Sequence, residues 1–102
     1  MVSFQMMYAS ARMVDGTTHV DVPIIGADRL KYSRTAHKHG WPAFGANGDV
    51  DLWQHFVTWS ALARTGAYTG TWDAFGNDVA LVVVRTEEDE TVDPTRTAAT
   101  PV

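Results

Sequence analysis

The sequence predicts an α+β fold: an N-terminal β-hairpin, then three short helices, then a disordered acidic C-terminal tail. Three observations carry that reading. Residues 3–25 alternate in polarity on either side of an Asp15-Gly16 turn. From Gly26 the apolar residues change to helical spacing, punctuated by Gly40-Trp41-Pro42 and Gly66. The charge is also unevenly placed: residues 1–85 hold seven acidic and seven basic side chains, so the net −4 belongs wholly to residues 86–102.

In the first half of the hairpin Phe4, Met6 and Tyr8 alternate with Ser3, Gln5 and Ala9, with Met7 as one extra apolar residue. Asp15 and Gly16 tolerate the positive φ that a two-residue hairpin loop requires. The return strand, THVDVPII, sets Val20, Val22 and Ile24 on one face and His19, Asp21 and Pro23 on the other. Pro23 has no amide hydrogen to give a ladder, which predicts an edge strand.

Gly26 and Asp28 open a first helix that runs to about His39 and is closed by Gly40. It carries Arg29, Lys31, Arg34 and Lys38, half of the basic residues in the chain. The loop PAFGANGDV is rich in turn formers, and Asp49 or Asp51 can cap the next helix. That second helix, DLWQHFVTWSALARTG, is the most apolar stretch of the chain. On a wheel of about 100° per residue its apolar side chains occupy most of the circumference. Gln54, His55 and Thr58 are left as a narrow wet face. Thr71 caps a third helix in which Trp72, Phe75, Val79 and Val82 recur at helical spacing. The end of that helix, ALVVV, is β-branched enough to form a strand instead, so residues 80–84 are open between the two. The domain boundaries read as 1–85 for the hairpin and helices and 86–102 for the acidic, Thr/Pro-containing tail.

Composition bounds the function. At 102 residues the chain is one domain, and 45% apolar with 20% charged residues is a globular balance. The absence of cysteine excludes disulfides and thiolate metal sites and fits a reducing compartment. No apolar run approaches the roughly 18–20 residues of a membrane span, and the N-terminus has no signal-peptide core. These features predict a soluble protein that is not exported. The neutral body gives no electrostatic footprint for nucleic acid.

No motif for catalysis, cofactor or metal stands out. His37 and His39 are two apart and fall on different faces of a helix, while His19 and His55 lie on other elements. NGDVD alternates oxygen ligands as calcium loops do but lacks the downstream bidentate glutamate, and helix capping accounts for it more simply. The reading is therefore non-enzymatic, with no cofactor. Four residues of the second helix are the candidate protein-binding set: Trp53, Val57, Phe56 and Trp59. The Leu52/Phe56/Trp59 arc is expected to face the hairpin and the third helix. Trp53 and Val57 are then expected to be the less buried pair, available to a partner.

The order of these signals is similar to the tail assembly chaperones of long-tailed bacteriophages, especially those infecting actinobacteria. The resemblance covers about residues 3–95. It rests on ADRLKYSRTAHKHGWP, on Phe56, Trp59, Ala61, Leu62, Arg64 and Gly66 in an F-x-x-W-x-A-L-x-R-x-G helix, and on Trp72 and Phe75 in a short aromatic-led helix. Ser33 departs from it, standing where the family often has an acidic residue. The resemblance implies a protein that binds the tape measure protein in the host cell cytoplasm and keeps it soluble while tail tube subunits polymerise. Such a protein is absent from the mature virion. Further implied partners are a frameshifted longer form of the chain itself and the major tail protein, with self-association left open and no membrane involved. The alternatives are a small structural connector of the virion and a small nucleic-acid-binding regulator using Arg29, Lys31, Arg34 and Lys38.

Overall fold

A computed structural model of the chain describes the backbone of residues 2–43 and 50–92, with side chains over 5–43 and 50–87. The elements run β1 (Val2–Met13), β2 (Thr18–Ile24), α1 (Gly26–His39), α2 (Val50–Thr65), α3 (Trp72–Asp78) and β3 (Val79–Val92). The strands form one antiparallel sheet in the order β2-β1-β3. The fold is α+β, with α2 packed along one face of that sheet and flanked by α1 and α3.

The ambiguous stretch 80–84 is strand. Helix α3 stops at Asp78, and Val79 already has extended backbone. Val79 and Val82, expected to continue the third helix, lie in β3. Pairing explains the outcome, because past a bulge at Ala80 the β-branched run gains a ladder against β1, with Val82 opposite Ala11 and Val84 opposite Ala9. The strand also continues through the acidic stretch to Val92, beside Val2–Met6, beyond residue 85 where the sequence reading ends the ordered body. Residues 93–102 of the expected tail lie outside the described residues. So do Asp49 and the rest of the loop at 44–49, with most of the calcium-like NGDVD run.

The faces of the hairpin differ from the expected ones. On β1 the inner side chains are Ala9, Ala11 and Met13, all buried, while Met6 and Tyr8 are on the opposite face. Small residues face inward because α2 packs close against the middle of the sheet. On β2 the alternation breaks at a bulge: Ala9 pairs with Val22, but Ala11 pairs with His19. Asp21 takes up the extra residue at φ +53°, and its amide donates to Ser10 Oγ at 3.0 Å. A bulge of this kind turns two successive side chains to one side. Val20 and Asp21 therefore both point away from the helices, and Val20 is 70% exposed instead of packing with Val22 and Ile24. The connection between the strands takes four residues, Val14 to Thr17, with the Asp15 carboxylate accepting from the Thr17 amide at 2.9 Å. That backbone hydrogen bond holds the Asp15 carboxyl below its ordinary range. Pro23 lies on an edge strand, as its missing donor requires.

The ends of α1 and α2 and the start of α3 match their sequence signals. Gly40 and Gly66 stop α1 and α2 in the left-handed region, at φ +73° and +80°, which glycine enters at the least steric cost. Thr71 Oγ1 accepts from the Ala74 amide at 3.1 Å and caps α3. Among the described residues no helix is long and apolar enough to cross a membrane.

Candidate partner-binding surface

Helix α2 is the hub of the molecule, touching all three strands and both other helices. From Leu52 to Ala63 every residue is buried or half-buried. The covering is threefold: the sheet, α1, and α3 with the segment leading into it. The third strand supplies the cover that a lone hairpin would lack. The fully buried arc is Phe56, Val57, Thr58, Ser60, Ala61 and Leu62. Leu52, His55, Trp59 and Ala63 form the less covered stripe.

This changes the expected partner site. Val57 is 0% exposed and packs in one core cluster with Ala9, Ile24, Tyr32, Phe56 and Ala61, so it is not available to a partner. Thr58, expected on the wet face, is fully buried too, its hydroxyl satisfied by donating to the Gln54 carbonyl at 2.7 Å. Phe56 is core, ringed edge-on by Tyr32, Trp41, Trp59 and Trp72. Trp53 is half-buried and packs on the same cluster. Trp59 is half-buried as well, with its indole N–H donating to the Gly70 carbonyl at 3.0 Å and the Lys31 ammonium 4.5 Å from its ring centroid. The four candidates therefore do not form one outward surface.

Two motif residues prove to be partners in a clamp that the sequence did not announce. Asp28, 1% exposed, sits in the first turn of α1 and accepts at both oxygens. Ser60 Oγ donates to Oδ1 at 2.7 Å, Arg64 Nη2 to Oδ2 at 3.1 Å, and the Ile25 amide to Oδ2 at 3.0 Å. Arg64 also reaches the Pro23 carbonyl at 2.8 Å, tying together the end of β2, the start of α1 and the last turns of α2. Asp28 and Arg64 are thirty-six residues apart, so neither local periodicity nor local charge pattern points from one to the other.

The surface with the chemistry of a binding site is the sheet face turned away from the helices. Leu81 and Val83 of β3 stand 60% and 61% exposed on it, with Val20 of β2 across Ser10. Tyr8 lies beside them, and the Arg85 guanidinium sits 4.5 Å from its ring centroid. Arg85 spans the sheet from β3 to bond Asp21 Oδ1 on β2 at 3.0 Å and also pairs with Glu87 at 3.5 Å. These acidic partners hold the Arg85 proton more firmly than usual, so the residue stays cationic. Arg12, opposite Leu81, places a second guanidine group at the other end of the row. The result is an aliphatic strip with charged ends on a face that no described element covers. The signal in the sequence was the alternation Ala9/Ala11 against Tyr8/Ser10, whose small residues mark the inward face. Among the described residues, His19, His37, His39 and His55 join no cluster able to hold a metal ion.

No family model, curated protein or solved structure matches the chain.

Proposed function

We propose that this chain is a tail assembly chaperone of a long-tailed bacteriophage. In this reading it holds apolar helical segments of the tape measure protein against the outer face of its sheet. The observation that carries the proposal is the exposure of Val20, Leu81 and Val83 together on the uncovered face. Exposed aliphatic groups in a row mark an interaction surface more often than chance, and an amphipathic helix is the natural shape to lie on one. Charged ends at Arg12, Asp21 and Arg85 would orient such a helix without adding much affinity. The sequence resemblance supports the same reading through its F-x-x-W-x-A-L-x-R-x-G and aromatic-led helices, whose residues build the core and clamp that hold this face. The proposed work is done in the host cytoplasm, before the tail is complete.

The test is co-production with the tape measure protein in a bacterial host. Wild-type chain should carry the client into the soluble fraction and co-purify with it. The Val20→Asp/Leu81→Asp variant should leave the client in the pellet while melting like the wild type, because both side chains are exposed. Equal capture by wild type and variant would overturn the reading. So would finding the chain in purified virions at the stoichiometry of a structural part, which is the outcome expected of a connector.

A further inference from the structure

The two edges of the sheet differ in kind. Edge strand β2 has seven residues, includes Pro23, and is kinked at Asp21. Short length and a proline within the strand both discourage another chain from adding to an edge. Edge strand β3 has fourteen residues and, among the described residues, a neighbour on one side only. Its first six, Val79–Val84, contain no proline, glycine or charge. Its pairing with β1 is bulged at Ala80 and at Asp89, and the regular run between the two bulges opens with the uncharged Leu81–Val84, a mostly β-branched stretch suited to strand pairing.

We propose that β3 pairs antiparallel with β3 of a second copy of this chain, about a twofold axis at Val83, to give a continuous six-stranded sheet. In that register Val83 meets the same residue of the other copy, Val82 meets Val84, and Leu81 stands opposite Arg85. Charge fixes the direction. Residues 87–90 read Glu-Glu-Asp-Glu, so parallel pairing would set two acidic runs side by side, whereas antiparallel pairing sends them to opposite ends. Closure argues for a second copy as the occupant. Twofold pairing consumes the open edge of both copies and leaves only the two guarded β2 edges outside, so assembly stops at a dimer. The proposal stands whether or not the outer face binds a client.

The chain has no cysteine among its residues, so a single introduced thiol reports on its own position. Across an antiparallel dyad, directly opposed Cβ atoms are about 5 Å apart, close to disulfide distance. Val83→Cys should therefore form a covalent dimer under mild oxidation, whereas Val20→Cys, on the guarded strand and just as exposed, should form little. Wild-type chain should run as a dimer by light scattering at roughly 10–100 μM. Val83→Lys should weaken association by about tenfold or more with an unchanged far-ultraviolet spectrum. A monomeric wild type across that range, equal cross-linking at residues 20 and 83, or undiminished dimer in Val83→Lys would each overturn the proposal.

Discussion

Replacing Arg64 by alanine tests the clamp at the centre of the fold. The change deletes two hydrogen bonds to Asp28, at 3.1 and 3.3 Å, and one to the Pro23 carbonyl at 2.8 Å. Asp28 keeps the Ser60 hydroxyl and the Ile25 amide, but its carboxylate stays almost fully buried and loses its cation. Breaking a buried pair by removing one partner costs about 3–5 kcal/mol. Arg64 is itself a third exposed, which lets water reach the vacated space and favours the lower limit, about 3 kcal/mol. For a domain of this size that corresponds to a drop of roughly 12–24 °C in Tm. Urea melts of wild type, Arg64→Ala, Asp28→Ala and the double variant close a cycle, in which the double variant should lose less than the sum of the singles. Arg64→Lys should fall between, since one ammonium cannot reproduce a guanidinium that bridges a carboxylate and a carbonyl. A loss below about 1 kcal/mol in Arg64→Ala, or strict additivity, would show that the clamp does not hold β2, α1 and α2 together.

Val57→Ala should cost about 2 kcal/mol in a denaturant melt, because the residue is enclosed and its cavity cannot reach solvent. A loss within experimental error there would mean that α2 is rotated from the packing described. Tyr68 donates its phenol proton to Asp78 Oδ2 at 2.7 Å, and that bond with the nearby carboxylate charge raises its pKa from 10.0 to about 12. Because the protonated phenol is the stabilised form, its contribution is present below pH 10 and is lost as pH rises towards 12; spectroscopic titration of Asp78→Asn should move the Tyr68 midpoint down towards its ordinary value. Ending the chain after Thr86 removes the strand beside Val2–Met6, so whichever of the Gln5 and Met6 amides points towards β3 should exchange hydrogen markedly faster, while those of Ala9 and Ala11 keep their protection.

The ends of α1 and α2 and the start of α3 were legible because they depend on local chemistry. Gly40, Gly66 and Thr71 act within one turn of where they stand, and each stops or caps a helix as its residue type dictates. The faces of the sheet were harder to read. Met6 and Tyr8 look like core residues by size, yet the close approach of α2 selects Ala9 and Ala11 for the inside. The bulge at Asp21 then turns Val20 outward, a displacement of one residue that no alternation pattern contains. The fate of Ala80–Val84 was undetermined for the same reason: a β-branched run becomes strand only if a partner offers a ladder, and β1 is more than sixty residues away in sequence. The candidate surface depends on all three of these non-local facts, so the sequence pointed to the α2 aromatics instead. Those aromatics are the packing that supports the surface.

The most direct test of the account follows the methyl groups of the chain by NMR while a helical peptide from the tape measure protein is added. Docking on the outer sheet face predicts that the resonances of Val20, Leu81 and Val83 shift and saturate together, with Val57 and Leu62 little changed. Shifts confined to the indole signals of Trp41, Trp59 and Trp72, with the outer methyls unmoved, would contradict it and assign the client to the helical side.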